Sequence, residues 1–298
     1  MNPPPERLGD VLLHKTGGTD PVLNWAKRDC EQRFGFKGGR FTAVNNLFTF
    51  FVAAILTVLF YAFTIYGLNR FEPTRFIADM FLLRGPVPYP TMFLTFWCLA
   101  ILIVKRKKLA EQRKALDLKP FPDDPAFLLN PETAQTILAE INRLVDDTRN
   151  FVLLNRIERA LSNLRNIGRI SDVSDILQTQ AEYDEAQQES TFRLINGFIW
   201  AIPVLGFIGT VLGLSAAIGG FGNTLAVAGE DVGALKDSLG GITGGLSTAF
   251  ETTLVALVAA LVIQLWMTFA QQQESLFLDE CSDYCHAHVV SKLRLTED

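Results

Sequence analysis

Charge is scarce in this 298-residue chain: only 20% of its residues are Asp, Glu, Lys or Arg, against 49% hydrophobic. Four stretches hold none of those charged types, between Arg40 and Arg70, Arg84 and Lys105, Arg193 and Glu230, and Glu251 and Glu274. A bilayer core of about 30 Å needs roughly 20 apolar helical residues, so each stretch can supply one membrane span. With a mean hydropathy of +0.21, this distribution argues against an ordinary soluble globule. The chain also lacks an excess of basic charge: 27 Lys and Arg face 32 Asp and Glu, for a net charge of −5. That balance disfavours nucleic acid, which needs a clustered basic surface to neutralise phosphates. The four cysteines, Cys30, Cys98, Cys281 and Cys285, are too few and too scattered for an extracellular disulfide framework. No nucleophile–base pair or phosphate loop is recognisable, so neither an enzyme nor a cofactor is expected. The first forty residues, with Asp10, Lys15 and Asp20, lack the apolar core of a secretory signal and read as a polar, partly irregular arm.

What is present is organised by the spans. The first, about Val44 to Leu68, is apolar all round and rich in Phe and Tyr, a surface for lipid. The second runs from about Tyr89 to Val104 after Pro86, Pro88 and Pro90. Lys105-Arg106-Lys107-Lys108 follows it directly, the strongest cationic cluster in the chain, and belongs on the cytoplasmic side. Lys27, Arg28, Arg33, Lys37 and Arg40 put the N-terminus on that side too, although Arg70, Arg75 and Arg84 in the outer loop are a mild exception. Between spans three and four only Lys236 is basic, beside Glu230, Asp231 and Asp237. Four spans with both termini inside follow. Glu230 and Asp231 read either as a solvated loop or as a cation-concentrating outer mouth.

The segment from Lys105 to Arg193 is the only sizeable polar one. Its opening carries Pro120, Pro122, Pro125 and Pro131; the remainder is free of proline and reads as helix. Asn130-Pro131-Glu132 is a helix start, with Asn as cap and Pro at the first helical position. Ile137, Ile141, Leu144, Thr148, Phe151, Leu154, Ile157, Leu161 and Leu164 then form a stripe at helical spacing that must bury against a partner. After Gly168 and Ser171, a second helix from about Asp172 reads without a break into the third span, a rod standing out of the membrane.

The third span, about Arg193 to Ile218, carries Pro203 and the series Gly206, Gly209, Gly213, Ala217 and Gly220, a groove into which another helix backbone can pack. Thr210 lies beside that groove. Pro203 frees a backbone carbonyl that neighbouring protein or water must satisfy. A close-packed helix pair without conduction explains this pattern as well as a pore does, and a threonine can simply bond its own backbone. The fourth span, about Thr248 to Gln273, follows Gly240-Gly241-Ile-Thr-Gly244-Gly245 and contains Thr248, Glu251, Thr252 and Thr253. Glu251 is the only carboxylate within a span, which marks it for function. Equally, Thr248-x-x-Glu251 fits a helix-capping box. Counted from the outer face, Thr210 lies about 12 Å and Thr253 about 8 Å deep, so the two hydroxyls can share a level. Glu251 and Thr253 point some 200° apart, so both cannot line one pore.

Pro203-x-x-Gly206-x-x-Gly209-Thr210-Val-x-Gly213 followed by Ala249-Phe-Glu-Thr-Thr253-Leu-Val-Ala-Leu resembles the MotA/TolQ/ExbB proton-channel family, over roughly Ala181 to Gln273. The resemblance implies an all-α integral membrane protein of the bacterial inner membrane. It implies a homopentamer enclosing two copies of a single-span MotB/TolR/ExbD-like subunit, whose Asp takes up and releases the ion. Thr210 and Thr253 match pore-facing positions, Thr248 the position where TolQ and ExbB carry a Glu, and Pro203 the third-helix proline of the flagellar stator branch. Four spans follow the stator branch, but the last-helix proline and the rotor-facing charged motif are missing. The expected function is a proton-conducting subunit of an inner-membrane motor; a non-conducting oligomeric scaffold is the alternative.

On this reading residues 1–40 are a cytoplasmic N-terminal arm and 41–104 peripheral helices 1 and 2. Residues 105–193 are a cytoplasmic helical domain, 194–273 the pore-forming helices 3 and 4, and 274–298 a cytoplasmic tail. The ion pathway is expected at Thr210, Thr253, Thr248 and Glu251, with kink and packing at Pro203, Gly206, Gly209 and Gly213. In the tail, Cys281, Cys285 and His288 share a helix face and could ligate zinc, though reduced thiols are the plainer reading and no metal is expected. His14 has no context beyond a surface residue.

Overall fold

A computed structural model describes residues 21–70, 72–118, 120–122, 127–162, 164, 170–227 and 232–294. His14, Pro125, Arg165, Gly168, Glu230 and Asp231 lie outside the described residues. In chain order the helices are α1 (Trp25–Arg28), α2 (Cys30–Arg33), α3 (Asn46–Tyr66), α4 (Glu72–Leu82), α5 (Pro88–Asp117), α6 (Pro131–Leu144), α7 (Val152–Ser162), α8 (Ile170–Thr191), α9 (Arg193–Val227) and α10 (Val232–Cys285). Among the described residues there is no β-strand, only the isolated bridges Leu23 to Val145 and Leu129 to Leu293. Among the described residues, four helical stretches are long and apolar enough to cross a membrane: Asn46–Tyr66, Pro88–Asp117, Ile170–Gly220 and Leu239–Val290. The chain is an all-α protein with four such helices, as its charge-free stretches require.

The chain divides into two compact units. The first is drawn from Met1–Asn45, Ile103–Phe192 and Phe269–Asp298. Its core is built around α7, whose Leu153, Leu154 and Ile157 are almost fully buried together with Ile141, Phe151 and Phe277. Trp25 packs edge-on against Phe151 with ring centroids 5.5 Å apart. Leu23 bonds through its backbone to Leu144 and Asp146. Residues 21–40, which read as an arm in the sequence, are therefore folded into this core.

The apolar stripe expected to run on past Leu144 is interrupted. Val145 is extended, and Thr148–Asn150 forms one turn of 3₁₀ helix capped by Asp147, so α6 and α7 fold back on each other. Likewise α8 and α9 are separated by a turn at Phe192. Asn130 caps α6 as its spacing predicts: Oδ1 accepts from the N–H groups of Glu132 and Thr133, and Thr133 Oγ1 accepts from the Asn130 N–H in return. Asn130→Ala is expected to lower the stability of the first unit by about 1 kcal/mol, read as a shift in its denaturation midpoint at unchanged slope.

The second unit comprises Asn46–Leu102 and Arg193–Thr268. Here α3 lies along α5 through aromatic contacts, Phe50 with Phe93 and Trp97, Phe60 with Phe96, and Tyr61 stacked on Tyr89. Trp97 gives its indole N–H to Thr49 Oγ1 at 3.1 Å, satisfying the one polar atom of that ring. The stretch after α3 is partly helical: Leu68–Arg70 is a 3₁₀ turn and α4 follows, with Phe76 and Ile77 exposed.

Candidate functional site: a glycine seam with two hydroxyls

Within the second unit, α9 and α10 meet in antiparallel register along the small residues of α9. A Cβ built on Gly206 would stand 2.7 Å from Ala256 Cβ, and one on Gly213 would stand 2.6 Å from both Ala249 N and Gly245 O. At Gly209 the obstruction is the Thr252 side chain, with its Cβ at 2.8 Å. A Cβ built on Gly245 would in turn stand 2.7 Å from Gly213 O and 2.9 Å from Ala217 N. Only helices without side chains at these points approach so closely. Gly220 is at the margin, its nearest obstruction being Ile242 Cγ1 at 4.0 Å.

Thr210 and Thr253 face each other across this seam. Thr210 Oγ1 lies 3.1 Å from Ala249 O and 3.3 Å from Gly206 O. Thr253 Oγ1 lies 3.0 Å from Gly206 O and 3.1 Å from Ala249 O, and the two hydroxyls also contact each other. One carbonyl from each helix thus serves both threonines. Each hydroxyl has one proton to give and two lone pairs to accept with. With the protons spent on carbonyls, the half-buried pair presents lone pairs; by rotating, it can instead donate to an anion. Thr252 is different: it is 3% exposed and bonds its own helix at Thr248 O.

Glu251 and Thr248 are neither cap nor partners of this pair. Helix α10 begins at Val232, sixteen residues before Thr248, so the capping-box reading fails. Thr248 Oγ1 donates to Gly244 O at 3.0 Å within the helix. Gly240, Gly241, Gly244 and Gly245 are all helical here; of these Gly245 is the one packed against α9, where contact outweighs its low helix propensity, while a Cβ on the other three would meet nothing within 4 Å. Glu251 is paired with Arg84: Nε lies 2.7 Å from Oε2 and Nη2 2.9 Å from Oε1. Sequence reasoning did not pair these two residues. The available signal was the cost of an unpartnered carboxylate in a span, which requires a cation from some other segment. Pro203 sits inside α9, where it removes the N–H that would bond Ile199 O.

The tail residues that could have held zinc are placed otherwise. Cys281 and Cys285 are buried in the core of the first unit, and His288 stacks on Tyr284 with ring centroids 4.2 Å apart. Among the described residues no group of three His, Cys, Asp or Glu side chains is arranged to hold a metal ion.

Residues 148–280 match the model of the MotA/TolQ/ExbB proton channel family. That segment contains α9 and the seam-forming part of α10. No curated protein and no solved structure matches the chain.

Proposed function

We propose, taking residues 148–280 as the MotA/TolQ/ExbB proton channel segment of this chain, that it is the proton-conducting subunit of an inner-membrane motor complex. Residues 194–273 supply the conducting helices. Copies of the chain, five in the assembly, surround the spans of two MotB/TolR/ExbD-like subunits, whose carboxyl group takes up and releases the proton. Both termini are cytoplasmic, as the Lys105 to Lys108 cluster supports.

The observation that carries this reading is the Thr210–Thr253 pair facing each other across the glycine seam. A carboxylate passing through an ionised state in hydrocarbon needs neutral donors; a fixed charge would hold a cation in place and block turnover. Two hydroxyls whose protons can turn from backbone carbonyls to a carboxylate meet that need without adding charge. Work would follow when the carboxyl group changes charge and the central helices turn relative to the surrounding copies.

The test is proton flux in vesicles holding the full chain with its single-span partner. Thr210→Val with Thr253→Val keeps the shape and removes both hydroxyls. Flux is expected to fall about 100-fold, in the range for loss of a preorganised donor, whereas Thr→Ser at both positions should retain most of it. If the valine variant conducts like the parent, the chain is a packing scaffold and the threonines merely satisfy the backbone.

A further inference from the structure

The Arg84–Glu251 pair spans 167 positions of sequence and joins the segment after α4 to the interior of α10. Its geometry is a fork on a fork, with two short parallel N–H···O bonds, the form in which Arg fixes direction as well as charge. Both side chains are largely covered, at 21% and 15% exposure. The flanking backbone fits the task, since Gly85 next to Arg84 takes a left-handed φ of 78° that turns the chain sharply before α5. Around α10, Glu251 lies roughly 160° from Thr253 and only about 3 Å away along the axis. The seam glycines and threonines hold one side of α10 at this depth, and Arg84 holds the opposite side.

We propose that Arg84 is a positioning residue for conduction: its guanidinium pins the outer part of α10 from behind, fixing the Thr210–Thr253 pair, and withdraws Glu251 from ion traffic. This rests on the conducting reading above. The carboxylate is neutralised by a partner on its own chain, so it neither traps a passing cation nor competes for the proton carried by the central helices. A helix gripped on two opposite faces cannot roll, and the hydroxyls keep their shared carbonyls.

The experiment uses the full chain and its single-span partner in phosphatidylcholine vesicles, with the amount of inserted protein measured for every variant. It is paired with thermal unfolding of the purified chain in detergent. Arg84→Gln and Glu251→Gln should each lower proton flux about tenfold, and the double Gln variant should be no worse than either single, as coupled partners behave. The reversed pair, Arg84→Glu with Glu251→Arg, should recover most of the lost flux and unfolding midpoint. Arg84→Lys, which keeps the charge and loses the fork, should fall between. Loss of flux in Glu251→Gln with none in Arg84→Gln would overturn the proposal and make Glu251 an ion-handling group. Additive losses, or a reversed pair as poor as the singles, would overturn it as well. A parent complex that carries no flux would instead sink the conducting reading; the proposal would then fall as a statement about conduction, although the midpoints would still report the pairing.

Discussion

Lys105→Met is expected to cost the first unit about 3–5 kcal/mol, because it leaves the Glu274 carboxylate buried without its counter-charge. The two side chains are 1% and 3% exposed and 3.1 Å apart. Lys105 Nζ also donates to Thr191 Oγ1 at 2.7 Å and lies 4.2 Å from the Phe192 ring centroid, while Thr42 Oγ1 donates to the second Glu274 oxygen at 3.3 Å. Thr42 precedes α3, Lys105 lies on α5, Thr191 ends α8 and Glu274 lies on α10. One polar node therefore ties together the segments that adjoin all four membrane helices. Changing both partners, Lys105→Met with Glu274→Leu, removes the unpaired charge and should restore most of the loss, since an apolar pair of similar volume is often as stable as a buried ion pair. Denaturation of the purified chain in detergent, followed by helical ellipticity, reads both variants. A single substitution with an effect inside the roughly ±0.5 kcal/mol of ordinary surface changes would mean that Glu274 is solvated or protonated and that the node holds nothing.

The same node shows why the sequence could be read only in part. Lys105-Arg106-Lys107-Lys108 reads as one solvated cationic cluster after a span. In the structure Arg106 and Lys107 are exposed, while Lys105 and Lys108 turn inward with Gln112, one face of α5 at helical spacing. That face could have been found from periodicity. Its partners could not: Lys108 meets Glu31 at 2.5 Å and Asp29 at 3.7 Å, two acids in a stretch with no apolar pattern of its own. Burial pushes the Asp29 carboxyl above the usual carboxylate range, against the pull of the Lys108 ammonium.

The spans were legible because hydrocarbon imposes one simple rule on composition. The glycine seam was legible because its register is local to α9. The length of α10 was not, since its four glycines argue for a break on propensity, and of the four Gly245 alone is held by close contact with another helix. Arg84 was hidden for the same reason as Asp29 and Glu31: an ion pair between distant segments leaves no spacing to detect.

Gly213→Ala should reduce proton flux about 100-fold, the cost expected of a 1 Å misplacement near the reacting groups, while leaving the helices at least as well formed. A Cβ at this position meets Ala249 N and Gly245 O at 2.6 Å. Both are backbone atoms, so no rotamer change can relieve the contact and α9 must move away from α10 by roughly 1 Å to reach an ordinary van der Waals distance. Thr210 is one turn away, and its 3.1 Å bond to Ala249 O is stretched by the same movement. Gly209→Ala should do comparable harm, because the Thr252 Cβ at 2.8 Å is fixed by its backbone and does not move when the side chain turns. Gly197 has nothing within 4 Å of the added carbon, so Gly197→Ala serves as the control. In all three variants alanine favours helix by about 1 kcal/mol over glycine, so helical content should hold or rise even where flux collapses. That divergence separates a loss of fit between two helices from a loss of fold. If Gly213→Ala conducts as well as Gly197→Ala, the hydroxyl pair does not depend on the closeness of α9 and α10, and the pathway does not run through this seam.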